Sequence, residues 1–277
     1  MAEGSCPEER PYRSFARIYD ELLGRTAFEC WLENFGRLVR RHGVSFRTAA
    51  DIACGTGLAA EFLAGVCERV YAVDGSAEML EVARAERGRE NIVYLLQRFT
   101  DLGLPERVDI LTCNFDSLNY LLVDGLLVEA LKRFADSLVD GGWAIFDMNT
   151  RRQLEATAGN PVLVHRLDGA FSVWESSWDA ASLTGTVRMT NFLEDCAGRY
   201  VRGEEVHAER AYDTGFVAGV LAEAGFCHVE ALDAKDLGAV VPDTRRVQFV
   251  ARKGPAGAFV RPGRLGYPDG CPGAVSG

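Results

Sequence analysis

No two cysteines in this 277-residue chain stand at C-x-x-C spacing, although there are eight: Cys6, Cys30, Cys54, Cys67, Cys113, Cys196, Cys227 and Cys271. That absence argues against a zinc knuckle and predicts no metal. The scatter of the thiols suits a reducing compartment better than a disulfide framework. No apolar run is long enough to span a bilayer. The first ten residues are polar and acidic, without the apolar stretch of a secretory signal. A basic surplus is also missing: 30 Lys and Arg stand against 40 Asp and Glu, a formal net charge of −10. Binding a polyanion needs a basic face, so no nucleic-acid partner is expected, and no membrane partner either. There is no internal repeat. What is present is ordinary globular material, 48% hydrophobic and 25% charged, enough for one large domain or a domain with a subdomain. A cytoplasmic protein is expected, as monomer or homodimer.

Residues 1–11 read as a disordered leader. From Tyr12 the spacing turns helical, with Phe15, Ile18, Tyr19 and Leu22 on one face. A second face runs through Phe28, Trp31, Leu32, Phe35, Leu38 and Val39 to a stop at Gly43. Short apolar strands are predicted at 49–53, 69–73, 91–96, 108–113 and 143–148. Helical patterns alternate with them, which predicts a parallel sheet with helices on both faces. Ligands of such sheets bind beyond the carboxyl ends of the strands. That rim holds Cys54 to Gly57, Asp74, Gln97 to Asp101, Asn114 to Asn119 and Asp147 to Asn149. Residues 151–212 break the alternation. Four strands at 162–167, 170–178, 183–194 and 200–210 predict a small inserted antiparallel sheet. A helix at 214–224 follows, then strands at 228–232 and 246–252 whose separation allows an antiparallel pair. The Gly- and Pro-rich tail, 253–277, reads as disordered.

The chain is organised around Ala49-Ala50-Asp51-Ile52-Ala53-Cys54-Gly55-Thr56-Gly57-Leu58-Ala59-Ala60. A buried strand stops at a glycine turn and continues into a helix, whose free N–H groups face a polar or anionic ligand group. Gly55-x-Gly57-x-x-Ala60 satisfies the nucleotide-binding fingerprint, and Asp74 stands near the spacing of a ribose-binding carboxylate. A nicotinamide dinucleotide fits these two features. Three others speak against it, and the second of them suits an acid facing a cationic ligand. A helical segment precedes the first strand, Asp51 lies inside an apolar strand, and no second phosphate turn is evident.

Asp51-Ile52-Ala53-Cys54-Gly55-Thr56-Gly57 resembles motif I of the class I S-adenosylmethionine-dependent methyltransferases. The stretch from Val70 to Leu80 resembles their second motif, Val108 to Cys113 their fourth strand, and Leu138 to Asp147 the approach to their fifth. Phe15 to Asp20, Asp116 to Tyr120, Phe146 to Asn149 and Glu209 to Tyr212 are similar to bacterial small-molecule members, among them sugar-amine and glycine-type N-methyltransferases. The resemblance implies an α/β fold with a doubly wound, mostly parallel seven-stranded Rossmann-like sheet and a small antiparallel insertion. It implies a donor-binding part over 12–150, a lid over 151–212 and the end of the main domain over 213–252. The implied cofactor is S-adenosyl-L-methionine and the implied partner a small-molecule acceptor, nitrogen before oxygen. Expected at the donor are Tyr19, Asp51, Ala53, Cys54, Gly55, Gly57, Asp74, Gly75, Met79, Gln97, Arg98, Phe99 and Asn114. Arg98, flanked by Gln97 and Phe99, holds the place where the family often carries an acid for the adenine amino group.

Expected at the acceptor are Tyr12, Asn119, Asp147, Asn149 and Trp174, with His207 as candidate base because its ordinary pKa lies near neutrality. The plainer reading of His207 is a solvated strand residue. Glu204, Glu205 and Glu209 likewise read as a solvated edge. Two alternatives stay open on sequence alone: an NAD(P)-dependent oxidoreductase, and a non-catalytic adenosyl-ligand-binding regulatory protein.

Overall fold

Short apolar strands that alternate with one-sided helices can bury both kinds of element only by winding back and forth across one sheet. The computed structural model describes residues 12 and 15–255, and it has that form. The leader expected over 1–11 and the tail beyond 255 lie outside the described residues. Strands β1 (Thr48–Ile52), β2 (Arg69–Asp74), β3 (Ile92–Leu96), β4 (Val108–Cys113) and β5 (Leu138–Asn149) pair in parallel. β10 (Phe226–Asp233) and β11 (Arg246–Lys253) complete the sheet, in the order β10-β11-β5-β4-β1-β2-β3. β11 runs antiparallel to both its neighbours, so the expected antiparallel pair exists, and Lys253 belongs to it. The winding reverses between β1 and β4, and a crevice opens beyond their carboxyl ends.

Helices α1 (Arg25–His42), α2 (Leu58–Ala64) and α3 (Ala77–Arg87) cover one face with a core that includes Trp31, Phe35, Leu38, Leu63 and Leu80. α4 (Asp124–Ser137) and α6 (Thr214–Glu223) cover the other, around Phe134, Phe146, Phe226 and Phe249. Among the described residues no helix is long and apolar enough to cross a membrane.

The insertion contains a helix the sequence did not announce, α5 (Arg151–Ala158), capped by Thr150 and with only Leu154 buried. It leads into an antiparallel sheet of β6 (Val162–Leu167), β7 (Ala170–Asp179), β8 (Thr184–Glu194) and β9 (Tyr200–Arg210), paired in chain order. Its inner face meets the segment before α1 in a third cluster of Phe15, Ile18, Ala170 and Met189, with Tyr12, Tyr19 and Trp174 packed around it. That segment is not the continuous helix its spacing predicts. It forms a 3₁₀ turn at Phe15–Arg17 and a π turn at Asp20–Gly24. Asp20 shows why: it accepts from Thr56 Oγ1 and pairs with the buried Arg87 of α3, so side-chain commitments override helical spacing.

Candidate active site

A cavity of about 1230 Å³ opens at the carboxyl ends of β1, β2 and β4. Of the expected donor residues, Tyr19, Asp51, Ala53, Cys54, Gly55, Asp74, Gly75, Met79, Gln97, Arg98, Phe99 and Asn114 line it. The turn after β1 holds Ala53, Gly55 and Gly57 at φ of 56°, 55° and 89°, a left-handed path that keeps the backbone open to the cavity. The two glycines serve different ends. A Cβ on Gly55 would have Met79 Sδ, 4.0 Å away, as its nearest neighbour, on the cavity side. A Cβ on Gly57 would stand 3.3 Å from both Ala83 Cβ and Tyr94 Oη. Gly57 therefore lets α2 and α3 approach each other and does not line the donor cavity, which corrects its expected role.

Asp51 is 1% exposed. Its Oδ1 accepts from Thr112 Oγ1 at 2.9 Å, while its Oδ2 and the nearby Asn114 Oδ1 are buried with no hydrogen-bond partner. Burial pushes the Asp51 carboxyl up to about 7, against the lowering effect of Thr112. Two orphaned acceptors beside a cavity fit a ligand cation, and the α-ammonium of S-adenosylmethionine is such a group. Asp74 ends β2 and accepts from Gly55 N at 2.8 Å and Ser76 N at 2.7 Å. These bonds fix its carboxylate and leave further lone pairs for a ribose diol. Burial still raises its pKa above the usual range. Met79 and Phe99 give the cavity apolar walls.

Gln97 departs from expectation. Its amide both donates to and accepts from the backbone of Gly103, each at 3.1 Å, so it shapes the turn after β3. Arg98 lies exposed on the rim. An acid does line the cavity three residues on, at Asp101, which the sequence placed on the rim but gave no role, because a short turn shifts it from the aligned position.

On the opposite wall, Tyr12, Tyr19 and Tyr120 line the cavity. Tyr12 Oη lies 2.8 Å from Tyr120 Oη, Tyr120 Oη 2.7 Å from His207 Nδ1, and His207 Nε2 3.3 Å from Glu205 Oε2. Glu205 also accepts from Tyr12 N at 2.6 Å and Phe15 N at 2.8 Å. His207 is 3% exposed and Glu205 fully buried, so the solvated readings of both fail. Burial holds Tyr12 and Tyr120 well above the usual phenol range, and both stay protonated at neutral pH. The bonding pattern then assigns Tyr120 O–H to His207 Nδ1 and His207 Nε2–H to Glu205. Tyr120 was not among the residues singled out, although the loop that carries it was. An aromatic in a polar loop past a strand end was its only signal.

His207 does not line the cavity but hydrogen-bonds Tyr120, which does, and four other expected acceptor residues also stand behind the wall. Asp147 accepts from Phe115 N at 2.7 Å and Asp116 N at 3.0 Å, and pairs with Arg246. It buttresses two consecutive left-handed residues, Phe115 and Asp116, at φ of 58° and 54°. Asn119 donates to the carbonyls of Asn149 and Arg210 at 3.0 and 2.8 Å, and Asn149 donates to Asp116 and Glu209 at 2.9 and 3.0 Å. Both tie β5 to β9. Trp174 packs on Phe15 and donates its indole N–H to Ser172. Of the five expected acceptor residues, Tyr12 alone reaches the cavity.

A family model described as a methyltransferase domain matches residues 49–142. A Geobacillus protein named as a methyltransferase is 28% identical over 87% of this chain and 99% of its own length. A solved S-adenosylmethionine-dependent methyltransferase from Clostridium acetobutylicum shares 27% identity at a TM-score of 0.75, over 88% of this chain and 99% of that one. The dTDP-3-amino-3,6-dideoxy-alpha-D-glucopyranose N,N-dimethyltransferase of Streptomyces fradiae is 34% identical over 40% of this chain and 42% of its own length. With the sheet order, the turn after β1 and the orphaned acceptors beside it, these similarities give the chain a methyltransferase domain over residues 49–142 and support a class I S-adenosylmethionine-dependent methyltransferase.

Proposed function

We propose that this enzyme methylates a nitrogen atom of a small amine-bearing molecule, with residues 151–212 as a lid over the acceptor. The cavity supports a two-ligand site. At about 1230 Å³ it exceeds the range of roughly 300–1,000 Å³ usual for a single drug-sized ligand. Bound between Asp51, Asp74, Met79 and Phe99, S-adenosylmethionine supplies an electrophilic methyl group on a sulfonium.

The chain's own residues hold that methyl in line with the acceptor and exclude water, and such positioning can supply about 7–11 kcal/mol. Asp51 and Asn114 take the ammonium, Asp74 the ribose, and Asp101 offers an acid to the adenine edge. The observation that carries the nitrogen assignment is the wall of buried phenols backed by Glu205. Tyr120 oxygen accepts an N–H from the acceptor while its own proton points to His207. As nitrogen gains the methyl it sheds one proton, which passes through Tyr120 to His207 Nδ1, where Glu205 stabilises the imidazolium. The similarity to the Streptomyces fradiae aminosugar enzyme points the same way.

The test offers labelled donor with paired acceptors, amino sugars and small amines against their hydroxyl analogues. Turnover confined to the amines is expected. Turnover of the hydroxyl series alone overturns the nitrogen assignment, and donor binding without turnover across both series favours a regulatory protein. His207→Asn is expected to lower kcat by about 10²–10⁴ and to flatten its pH profile. Full turnover in that variant at neutral pH removes His207 from the relay.

A further inference from the structure

At the edge of the large sheet three side chains converge that methyl transfer does not use. His42 ends α1, and His228 and Glu230 stand two apart on edge strand β10, hence on one face. None of them lines the cavity. The side chains are 9%, 24% and 22% exposed. His42 Nε2, His228 Nε2 and Glu230 Oε2 are all buried without a hydrogen-bond partner. Buried polar atoms in native structures are nearly always satisfied, so two orphaned imidazole nitrogens beside one carboxylate call for a ligand.

Their spacing says which. His228 Nε2 lies 3.2 Å from Glu230 Oε1 and His42 Nε2 3.8 Å from Glu230 Oε2, with one ligand atom from each residue within 4.8 Å of the others. A tetrahedral ion with bonds of about 2.0–2.2 Å has ligand-to-ligand edges of about 3.3–3.6 Å. We propose that His42, His228 and Glu230 bind a divalent transition ion of the zinc class, which ties the end of α1 to β10. Two imidazoles and a carboxylate form a nitrogen and oxygen set suited to zinc, cobalt or nickel rather than to magnesium or calcium, with a fourth position left for water. The Trp143 ring, 5.1 Å from His42 and 5.9 Å from His228 between centroids, supplies an apolar wall. The expectation of no metal rested on the missing cysteine pairs, which says nothing of a histidine and carboxylate set. One charge opposes binding: Arg41 Nη2 lies 3.2 Å from Glu230 Oε2. Its side chain is 47% exposed and otherwise held by one long bond, Nη1 to Leu237 O at 3.5 Å, so it can turn to solvent when an ion arrives.

The full-length chain is titrated with Zn²⁺ against a chromophoric chelator, and with Co²⁺ for its spectrum. One ion per chain is expected, with Co²⁺ ligand-field bands and no thiolate charge-transfer band. His42→Gln and His228→Gln should each weaken binding by more than about 10–100-fold, the loss usual for an outer-shell partner alone. Arg41→Ala should tighten it. Zinc should raise the melting temperature of the parent chain and not of the variants. S-adenosylmethionine binding reports that each variant is folded, and Glu230→Gln replaces any variant that fails this check. Affinity unchanged in the variants, a thiolate band, or no binding below millimolar zinc overturns the proposal.

Discussion

Asp51 lies in β1 between Ala50 and Ile52, both buried, and its carboxyl is expensive there unless a ligand meets it. Asp51→Asn keeps the shape and removes the charge. The variant should bind donor about 10- to 100-fold more weakly, the worth of a charge-assisted hydrogen bond. The unliganded chain should gain roughly 1 kcal/mol, or about 2–4 °C in melting temperature. Titration calorimetry and scanning calorimetry read the two effects, and a lower melting temperature would mean that the carboxylate stabilises the empty protein. The glycines separate in the same way. Gly57→Ala forces a Cβ against Ala83 and Tyr94 at φ 89° and should lose about 1–3 kcal/mol of stability, with donor affinity kept in the folded fraction. Gly55→Ala carries a smaller strain, and its methyl group projects toward Met79, so it should weaken donor binding instead. The placement of Asp51, Asp74 and Gly55 at the cavity was legible because motif spacing encodes local backbone geometry. Gly57 was misread because the same spacing does not reveal which neighbour approaches. Glu205 and His207 were misread because strand alternation shows that two residues share a face and not what covers it. The cover is the segment around Tyr12 and Phe15, some 190 residues earlier.

That segment is the element on which the site turns. Two carboxylates anchor it. Glu205 on β9 takes its backbone N–H groups, and Asp20 pairs with Arg87 and accepts from Thr56 in the donor turn. Arg87 also donates to Thr56 O at 3.0 Å, so one buried guanidinium joins α3, the donor turn and the segment. Asp20→Ala removes the shared partner and leaves Arg87 with Glu86 and the more distant Glu61. Loss of a hydrogen bond to a charged group is worth about 1.5–3 kcal/mol. Faster hydrogen exchange over 15–24 and a donor dissociation rate raised by about tenfold or more are therefore expected. Exchange mass spectrometry and stopped-flow displacement check this, and unchanged exchange would show that Glu205 suffices as anchor. None of these partners was legible, because the pairs join residues far apart in sequence and leave no periodic trace. α5 escaped for the opposite reason, since one buried leucine makes no stripe. The strands of the insertion were legible within a residue or two, because alternation and glycine turns are local.

At the scale of the molecule the doubly wound sheet was legible from alternation alone, while the seating of the second sheet on the N-terminal segment was not. The donor couples these parts to stability through pH. Asp51 has its ordinary value at 3.8 and is pushed up to about 7 in the fold, so its protonated form is favoured by folding. The stability this contributes is fully present below 3.8 and is lost as pH rises through about 7. The cationic donor has the opposite sign, because it needs the ionised carboxylate, and its affinity should fall about tenfold per pH unit below that value. At 100 times its neutral dissociation constant, the donor should stabilise the fold by about 2.7 kcal/mol, or about 5–10 °C. At pH 5.5 the donor binds more than tenfold more weakly, the same concentration stands near six times the weakened constant, and the gain shrinks to about 1 kcal/mol. Asp51→Asn should bind weakly at both pH values and lose this dependence. If instead the variant keeps the full dependence, Asp74 carries it, since burial raises that carboxyl as well. Scanning calorimetry of both proteins, with and without donor across this pH range, distinguishes the two carboxylates.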